Sequence, residues 1–563
     1  MFNVRKNNFK SILKSLLVYR EKYKPGIQIF ISLIIGYIAF VLVTDLAILN
    51  PTNVNWLMES DPATHYLGWE YFRTAPFLQW PFGANPLYGL EISSSVVYTD
   101  SIPLFAFIFK PISQLLPIVF QYFGFWILTC FLLQSFFAYK LLTLFTRDFW
   151  LPLLGCAFFA ISPFFLWRLS CHYALFAQWL LLAALYLYFN KKHSATYWVG
   201  LLILCALIHA YFLVMVLAIW LADFGQRYLL REIKLTKIIF EFFIGISATI
   251  FIMCFSGYFM FDSNLQTGGF GYYRMNLLSW IDPDDGWSIL LRDQKSGGGD
   301  YEGFSYLGIG ILVLAFFAFF KLYYRKKFHF SARIIPIFAL CILFFLYSLS
   351  NKIALGSHEI FTFYLPSFLN IVTGIFRSSG RFIWPVSYII YVAIFYIIFT
   401  RMNRNKAVAL CSILLIIQII DTSIILSRFG EKFGNKNTFE DPLKTKDWDR
   451  IALNYKKLIF VLPENHSKNW MILSEFAVTH KMSINTGFFA RIDRNKLYLA
   501  RIKLIRSIIR KELDPEALYF FDDHVLWDVA TFSIKKNDFA GIKDGFRFFA
   551  PNFRKTQILK TKN

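Results

Sequence analysis

Apolar runs separated by short polar stretches fill the first three quarters of the chain. They lie at 27–49, 118–139, 149–167, 173–189, 237–261, 304–320, 334–350, 382–399 and 407–427, and each approaches or exceeds the roughly 20 residues with which a helix crosses a bilayer. The pattern therefore predicts membrane-spanning helices. The stretch 197–223 also looks like one span, yet basic clusters flank it at Lys191/Lys192 and from Arg227 to Lys237. A single crossing would put one cluster outside, against the positive-inside rule. Two short helices meeting near His209 and Tyr211 let the chain leave and return. The expected fold is an α-helical polytopic membrane protein with about eleven transmembrane helices, its N-terminus cytoplasmic and its C-terminal part external.

Composition agrees with this pattern. Hydrophobic residues make up 56% of the 563 and charged residues 17%, against roughly 25% charged in soluble proteins. The net charge of +22 raises the question of nucleic acid, but no nucleic-acid motif is present. Basic clusters at the N-terminus, Lys140/Arg147, Lys191/Lys192, Arg227 to Lys237, Lys321 to Lys327 and Arg401 to Lys406 are read as cytoplasmic anchors. Residues 1–26 form a basic N-terminal segment. The run 27–49 is longer than the core of a signal peptide and lacks a small-residue cleavage site, so a retained first helix is expected. All seven cysteines lie in or beside apolar blocks without CxxC spacing, which disfavours disulfide frameworks and zinc sites.

With residues 27–427 as the transmembrane domain, the external loops are 50–117, 262–303 and 351–381, followed by a soluble domain over 428–563. The first loop has five acids and, before Lys110, only Arg73 as a base; the second has seven acids and three bases. Ile102 to Val119 is apolar but interrupted by prolines, so it is placed along the membrane surface. The loop 262–303, with Asp282-Pro283-Asp284-Asp285 and Gly297-Gly298-Gly299-Asp300-Tyr301-Glu302, lacks EF-hand spacing and is read as a lid. After Arg428, β-rich runs at 458–462 and 517–521 alternate with helical patterns at 470–480 and 497–513, which predicts a small α/β domain.

The first external loop carries the densest chemistry: Glu59-Ser60-Asp61-Pro62-Ala63-Thr64-His65, Glu91, and Thr99-Asp100-Ser101. Acids spaced i and i+2 outside a helix can converge on one cation or one hydroxyl, and a carboxylate there can act as a general base. The bland alternative is a solvated loop in which Asp61 starts a helix before Pro62. Arg377-Ser378-Ser379-Gly380-Arg381 places two guanidiniums at the start of an external helix, where dipole and free N–H groups favour an anion such as phosphate. The competing reading is interfacial anchoring or ion pairing. Topology adds Arg168, His172, His209 and Arg274 as ionisable residues near membrane depth, each read more readily as a structural hydrogen-bond partner or snorkelling anchor and ranked below Asp61 and the arginine pair.

Glu59-x-Asp61-Pro62-x-x-His65-Tyr66 resembles the E-x-D-P-x-x-N-Y stretch of oligosaccharyltransferase catalytic subunits, and more broadly the glycosyltransferase C superfamily. A larger set, including Tyr88-Gly89-Leu90-Glu91, Thr99-Asp100-Ser101-Ile102-Pro103 and the Arg377 to Phe382 segment, is similar to an uncharacterised family of bacterial integral membrane proteins. The superfamily resemblance implies about eleven to thirteen spans, often with an extracytoplasmic domain. It also implies a polyprenyl-phosphate sugar donor, an inverted product, and an acidic first-loop residue that is catalytic or binds a divalent metal such as Mg or Mn. Asp61, Glu59 and Asp100 are then the catalytic acids, with Asp61 the metal candidate. Arg377, Arg381, His65, Glu91, Arg168, His172, His209 and Arg274 are the substrate-binding set. No W-W-D-Y-G motif follows Arg428, so transfer to a protein sequon is not expected.

The favoured reading is a glycosyltransferase of the bacterial cytoplasmic membrane, acting on its outer face on a cell-envelope glycan or lipid acceptor. Its partners would be the lipid-linked donor, the acceptor and membrane lipids, with no nucleic acid. The alternative is a transporter or flippase of a lipid-linked glycan; no repeat between the halves supports it.

Overall fold

A computed structural model describes residues 25–92, 95–260, 268–323, 332–434, 441–532 and 534–553. Most of the basic N-terminal segment, Ser93, Ser94 and the basic cluster at 325–327 lie outside the described residues.

Among the described residues, six helices are long and apolar enough to cross a membrane: Pro25–Val43, Phe123–Leu142, Leu151–Ser170, Ala210–Leu229, Leu235–Ser256 and Ser379–Arg401. The pair Arg404–Asp421 and Ser423–Phe433, bent by 56° at Thr422, makes a seventh if counted as one span. Its second half runs through the boundary expected at 427/428. Tyr173–Phe189, Ala195–Ile208, Ile309–Tyr323 and Ile335–Leu349 are apolar but shorter. A 15-residue helix rises only about 22 Å against a hydrocarbon core of about 30 Å. Length and composition therefore support six or seven crossings, and eleven would need every short helix as well.

The long apolar stretch around residue 209 does break in two. His209 has extended backbone (φ −165°, ψ 137°), ending Ala195–Ile208 and starting Ala210–Leu229. Its imidazole Nδ1 accepts the Tyr211 N–H at 3.2 Å, so the side chain caps the helix it starts. Leu235–Ser256 ends at Gly257, whose φ of 86° suits a glycine C-cap. Only 17% of its apolar window is buried, which leaves an outward face suited to lipid.

The segment 50–117 folds around the helix Ser60–Thr74, which is buried along most of its length. Pro103–Phe109 and the 3-10 turn Lys110–Leu115 follow in the segment expected to lie along the membrane surface. The C-terminal α/β unit has a five-stranded sheet in the order Ser483–Ile484, Lys457–Phe460, Ala517–Phe521, Phe546–Ala550, Phe539–Lys543. The first three strands are parallel and the last two run antiparallel to their neighbours. Trp470–Thr479 and Arg494–Arg510 are helical, close to the expected spans.

This unit is tied to the first loop by backbone. Gly89 N–H donates to Ile484 O at 2.8 Å and Ile484 N–H to Leu87 O at 3.0 Å, so the loop extends the edge of the sheet. Tyr71 Oη donates to Ser474 O at 2.9 Å, and the Tyr71 and Tyr88 rings stack at 4.5 Å.

Candidate functional site

Three segments distant in sequence converge on Asp100. His172 Nε2 lies 3.4 Å from one carboxylate oxygen and His209 Nε2 lies 3.6 Å from the other. The His65 ring is 5.2 Å from that of His172. Burial alone would raise the Asp100 carboxyl, but its surroundings, His172 foremost, outweigh it and hold it below the usual carboxylate range. Asp100 keeps 18% of its side chain accessible, more than His172 at 12% or His209 at 10%. The carboxylate is therefore the member of the group best placed to meet a substrate.

Local sequence explains how Asp100 is presented. Its φ is +50° and that of Ile102 is +53°, a region costly for a β-branched residue and retained only where surroundings enforce it. The enforcing contacts come from the first-loop helix. His65 Nδ1 meets Thr99 O at 3.0 Å, Ser101 Oγ donates to His65 O at 2.7 Å, and the Thr99 and Ser101 hydroxyls are 2.8 Å apart. A Cβ at Gly68 would fall 2.2 Å from Thr99 Oγ1, so the glycine of the His65-Tyr66-Leu67-Gly68 run is what lets the Asp100 loop lie on the helix. Because a carbonyl can only accept, His65 Nδ1 carries the proton, and its Nε2 is buried with no partner among the described residues. Burial and the neighbouring His172 lower the pKa of this imidazole below its ordinary value.

Beside this group lies a buried charge triad. Arg381 donates to both Glu302 oxygens, Nε to Oε2 at 2.9 Å and NH2 to Oε1 at 2.6 Å, and Arg168 NH1 donates to Oε2 at 2.8 Å. The Arg381 guanidinium also covers the Tyr211 ring at 4.7 Å. The expectation that Arg377 and Arg381 jointly face an anion changes here, since Arg381 is already forked onto Glu302. The Ser378 N–H is given to Tyr211 Oη and the Gly380 N–H to Tyr273 O. Arg377 differs: it lies over the Tyr273 ring at 5.3 Å and, among the described residues, donates only to Gly268 O.

Glycines allow the triad to form. A Cβ at Gly380 would lie 2.6 Å from Gly303 Cα, and one at Gly303 would lie 2.4 Å from Met275 Cα. These are backbone contacts, so neither neighbour can swing aside. Gly380→Ala is expected to force the loops 262–303 and 351–381 apart, separate Arg381 from Glu302 and cost about 1–3 kcal/mol. Thermal unfolding in detergent, followed by tryptophan fluorescence, should show a clearly lower midpoint; an unchanged midpoint would show that the loops adapt freely.

The other expected residues fall in different settings. Asp61 is half-buried in the first turn of Ser60–Thr74, with no hydrogen bond or ion pair among the described residues. It lies close enough to Cys171 and Tyr173 to act on both electrostatically. Glu59 is exposed and paired with Lys432 Nζ at 2.5 Å. Glu91 is exposed in a short 3-10 turn. Arg274 is fully used in holding its loop together, donating to Asp300, Glu359 and Lys352 O. The loop read as a lid thus carries a buried anchor in Arg274, Asp300 and Glu302. Glu302 and Lys432 are residues that motif reading missed, because nothing in an acidic or basic stretch announces which member will be buried beside a distant partner.

A divalent metal is the cofactor implied by the first-loop resemblance. Among the described residues, the one group whose ligand atoms converge, all within 4.8 Å, is Asp100, His172 and His209, without Asp61. Magnesium prefers oxygen ligands, whereas this set offers one carboxylate and two imidazoles. With His209 Nδ1 accepting from Tyr211 N–H, the neutral ring carries its proton on Nε2 and turns an N–H toward Asp100. The donors fit a carboxylate held by imidazoles better than a magnesium site.

The family model described as "Domain of unknown function (DUF6311)" matches residues 33–423, and that of the "DUF6311 C-terminal domain" matches 447–551. No curated protein matches the chain. Among solved structures, the apo oligosaccharyltransferase of Archaeoglobus fulgidus aligns at 12% identity with a TM-score of 0.42, over 81% of this chain and 64% of that one. The alignment thus spans somewhat less than two thirds of the oligosaccharyltransferase.

Proposed function

The chain belongs to the DUF6311 family, and from that premise we propose that it is a membrane glycosyltransferase. It transfers a sugar from a polyprenyl-phosphate donor to a glycan or lipid acceptor on the outer face of the bacterial cytoplasmic membrane. The short apolar helices complete about eleven crossings, with the N-terminus inside and the α/β unit outside. The observation that carries the reading is Asp100, a partly accessible carboxylate held by two imidazoles, on a loop that Ala490 and Arg491 join to the loop of Arg377.

Glycosyl transfer needs a base for the incoming hydroxyl and a cation for the departing phosphate. Asp100 accepts the acceptor hydroxyl proton as that oxygen bonds to the anomeric carbon. The anomeric carbon–phosphate oxygen bond breaks on the opposite side, and its electron pair leaves on the phosphate held by Arg377. A single base and in-line departure invert the anomeric centre. A carboxylate held below its usual pKa is a weak base, which suffices because the hydroxyl becomes acidic only as its new bond forms. Asp61, four residues before His65, helps place the acceptor.

Purified protein in detergent, given polyprenyl-phosphate sugars and envelope glycan acceptors, should release polyprenyl phosphate and glycosylated product. Turnover without a sealed membrane separates this reading from a flippase. Movement of intact lipid-linked glycan across proteoliposomes, with no transfer in detergent, would replace it.

A further inference from the structure

The cations near the site divide into two classes. Arg168 and Arg381 share Glu302, Arg274 faces Asp300 and Glu359, and Lys432 faces Glu59. Arg377 and Arg491, by contrast, have no carboxylate within ion-pair distance among the described residues. Their donors meet only backbone: Arg377 the Gly268 carbonyl, Arg491 those of Ala490 and Ile375 at 2.7 and 3.0 Å.

Arg491 belongs to the C-terminal unit but is delivered to the membrane part by two contacts. The preceding Ala490 N–H donates to Tyr98 O at 2.8 Å, two residues before Asp100. Arg491 itself donates to Ile375 O, two residues before Arg377. One dipeptide therefore bridges the Asp100 loop and the Arg377 loop. Burial and the like charge of Arg377 act against the Arg491 charge, outweighing the attraction of Asp100. Bringing two partly buried guanidiniums together with no carboxylate paired to either is unfavourable on its own and favourable once an anion lies between them.

We infer that Arg491 and Arg377 together bind the phosphate of a membrane-anchored phosphate ester beside Asp100, so that the C-terminal unit completes the donor site. The guanidinium fork matches phosphate oxygens in pairs, and a cation on each side of the phosphate holds it as the sugar leaves. This assignment rests on the transferase reading for its substrate, but not for the anion site itself.

The test uses full-length protein in detergent micelles with farnesyl phosphate as the probe and phosphatidylglycerol in a parallel arm. R491Q and R377Q should each weaken farnesyl phosphate binding about tenfold or more, and R491K should recover most of it. Loss confined to phosphatidylglycerol would assign the same site to a lipid headgroup phosphate. Wild-type affinity of R491Q for both probes overturns the inference. If R491Q does not fold, R377Q decides: wild-type affinity of R377Q for both probes also overturns it. Phosphate binding that depends on Arg491 in a protein without sugar transfer would leave the site standing and remove the transferase reading. Transfer that needs Asp100 but is indifferent to Arg491 at limiting donor would do the reverse.

Discussion

Asp100→Asn is expected to lower sugar transfer about 10²- to 10⁴-fold, the usual worth of a positioned base, while the protein still inserts and folds. The amide keeps the size and one carbonyl oxygen of the carboxylate, so His172 and His209 retain a neighbour of the same shape. What disappears is the negative charge that accepts the proton. The measurement is initial rate against donor and acceptor concentration, with binding of farnesyl phosphate as a control. Loss of kcat with unchanged probe binding identifies a group acting in the chemical step. Activity within a few-fold of wild type would transfer the role to Asp61, the nearby acid that is half-buried and without a partner among the described residues.

The second large effect is on stability. Glu302→Ala leaves the Arg168 and Arg381 guanidiniums, both buried, facing each other with no anion. Removing one partner of a buried charge network typically costs 3–5 kcal/mol, roughly, and here two cations are left at once. The expected result is a strongly lowered unfolding midpoint in detergent and loss of transfer, because Arg381 also covers Tyr211, which in turn holds the Ser378 N–H. The effect should depend on pH. Burial would raise the Glu302 carboxyl, but Arg381 and Arg168 outweigh it and hold it well below the usual range. A depressed carboxylate contributes stability above its unfolded pKa of about 4.3 and loses it as pH falls toward the folded value. The gap between wild type and Glu302→Ala should therefore be constant near neutrality and narrow below about pH 4.3. A gap unchanged down to pH 3 would mean that the charge of Glu302 contributes little.

Both effects depend on contacts that residue types alone do not disclose. His65, Gly68, Thr99, Asp100 and Ser101 are visible as a cluster of polar and small residues in one loop. Their common purpose, holding Asp100 in a strained backbone, appears only once Gly68 is found under Thr99. Arg377 and Arg381 look equivalent four residues apart, yet a single residue from another loop, Glu302, takes one and leaves the other. Arg491 sits among the many basic residues of the C-terminal unit and carries no distinguishing neighbour in sequence.

Apolar runs determined the helical character and the change to an α/β unit, and the basic clusters on both sides of 197–223 determined the break at His209, because each depends on local residue type and segment length. Which carboxylate gathers the imidazoles, which arginine is neutralised and which remains free were decided only by tertiary structure. The physical reason is that charge pairing acts over a few ångströms. Asp100, His172, His209, Glu302 and Arg381 span 282 positions of chain, from 100 to 381, and only folding brings their atoms within that range.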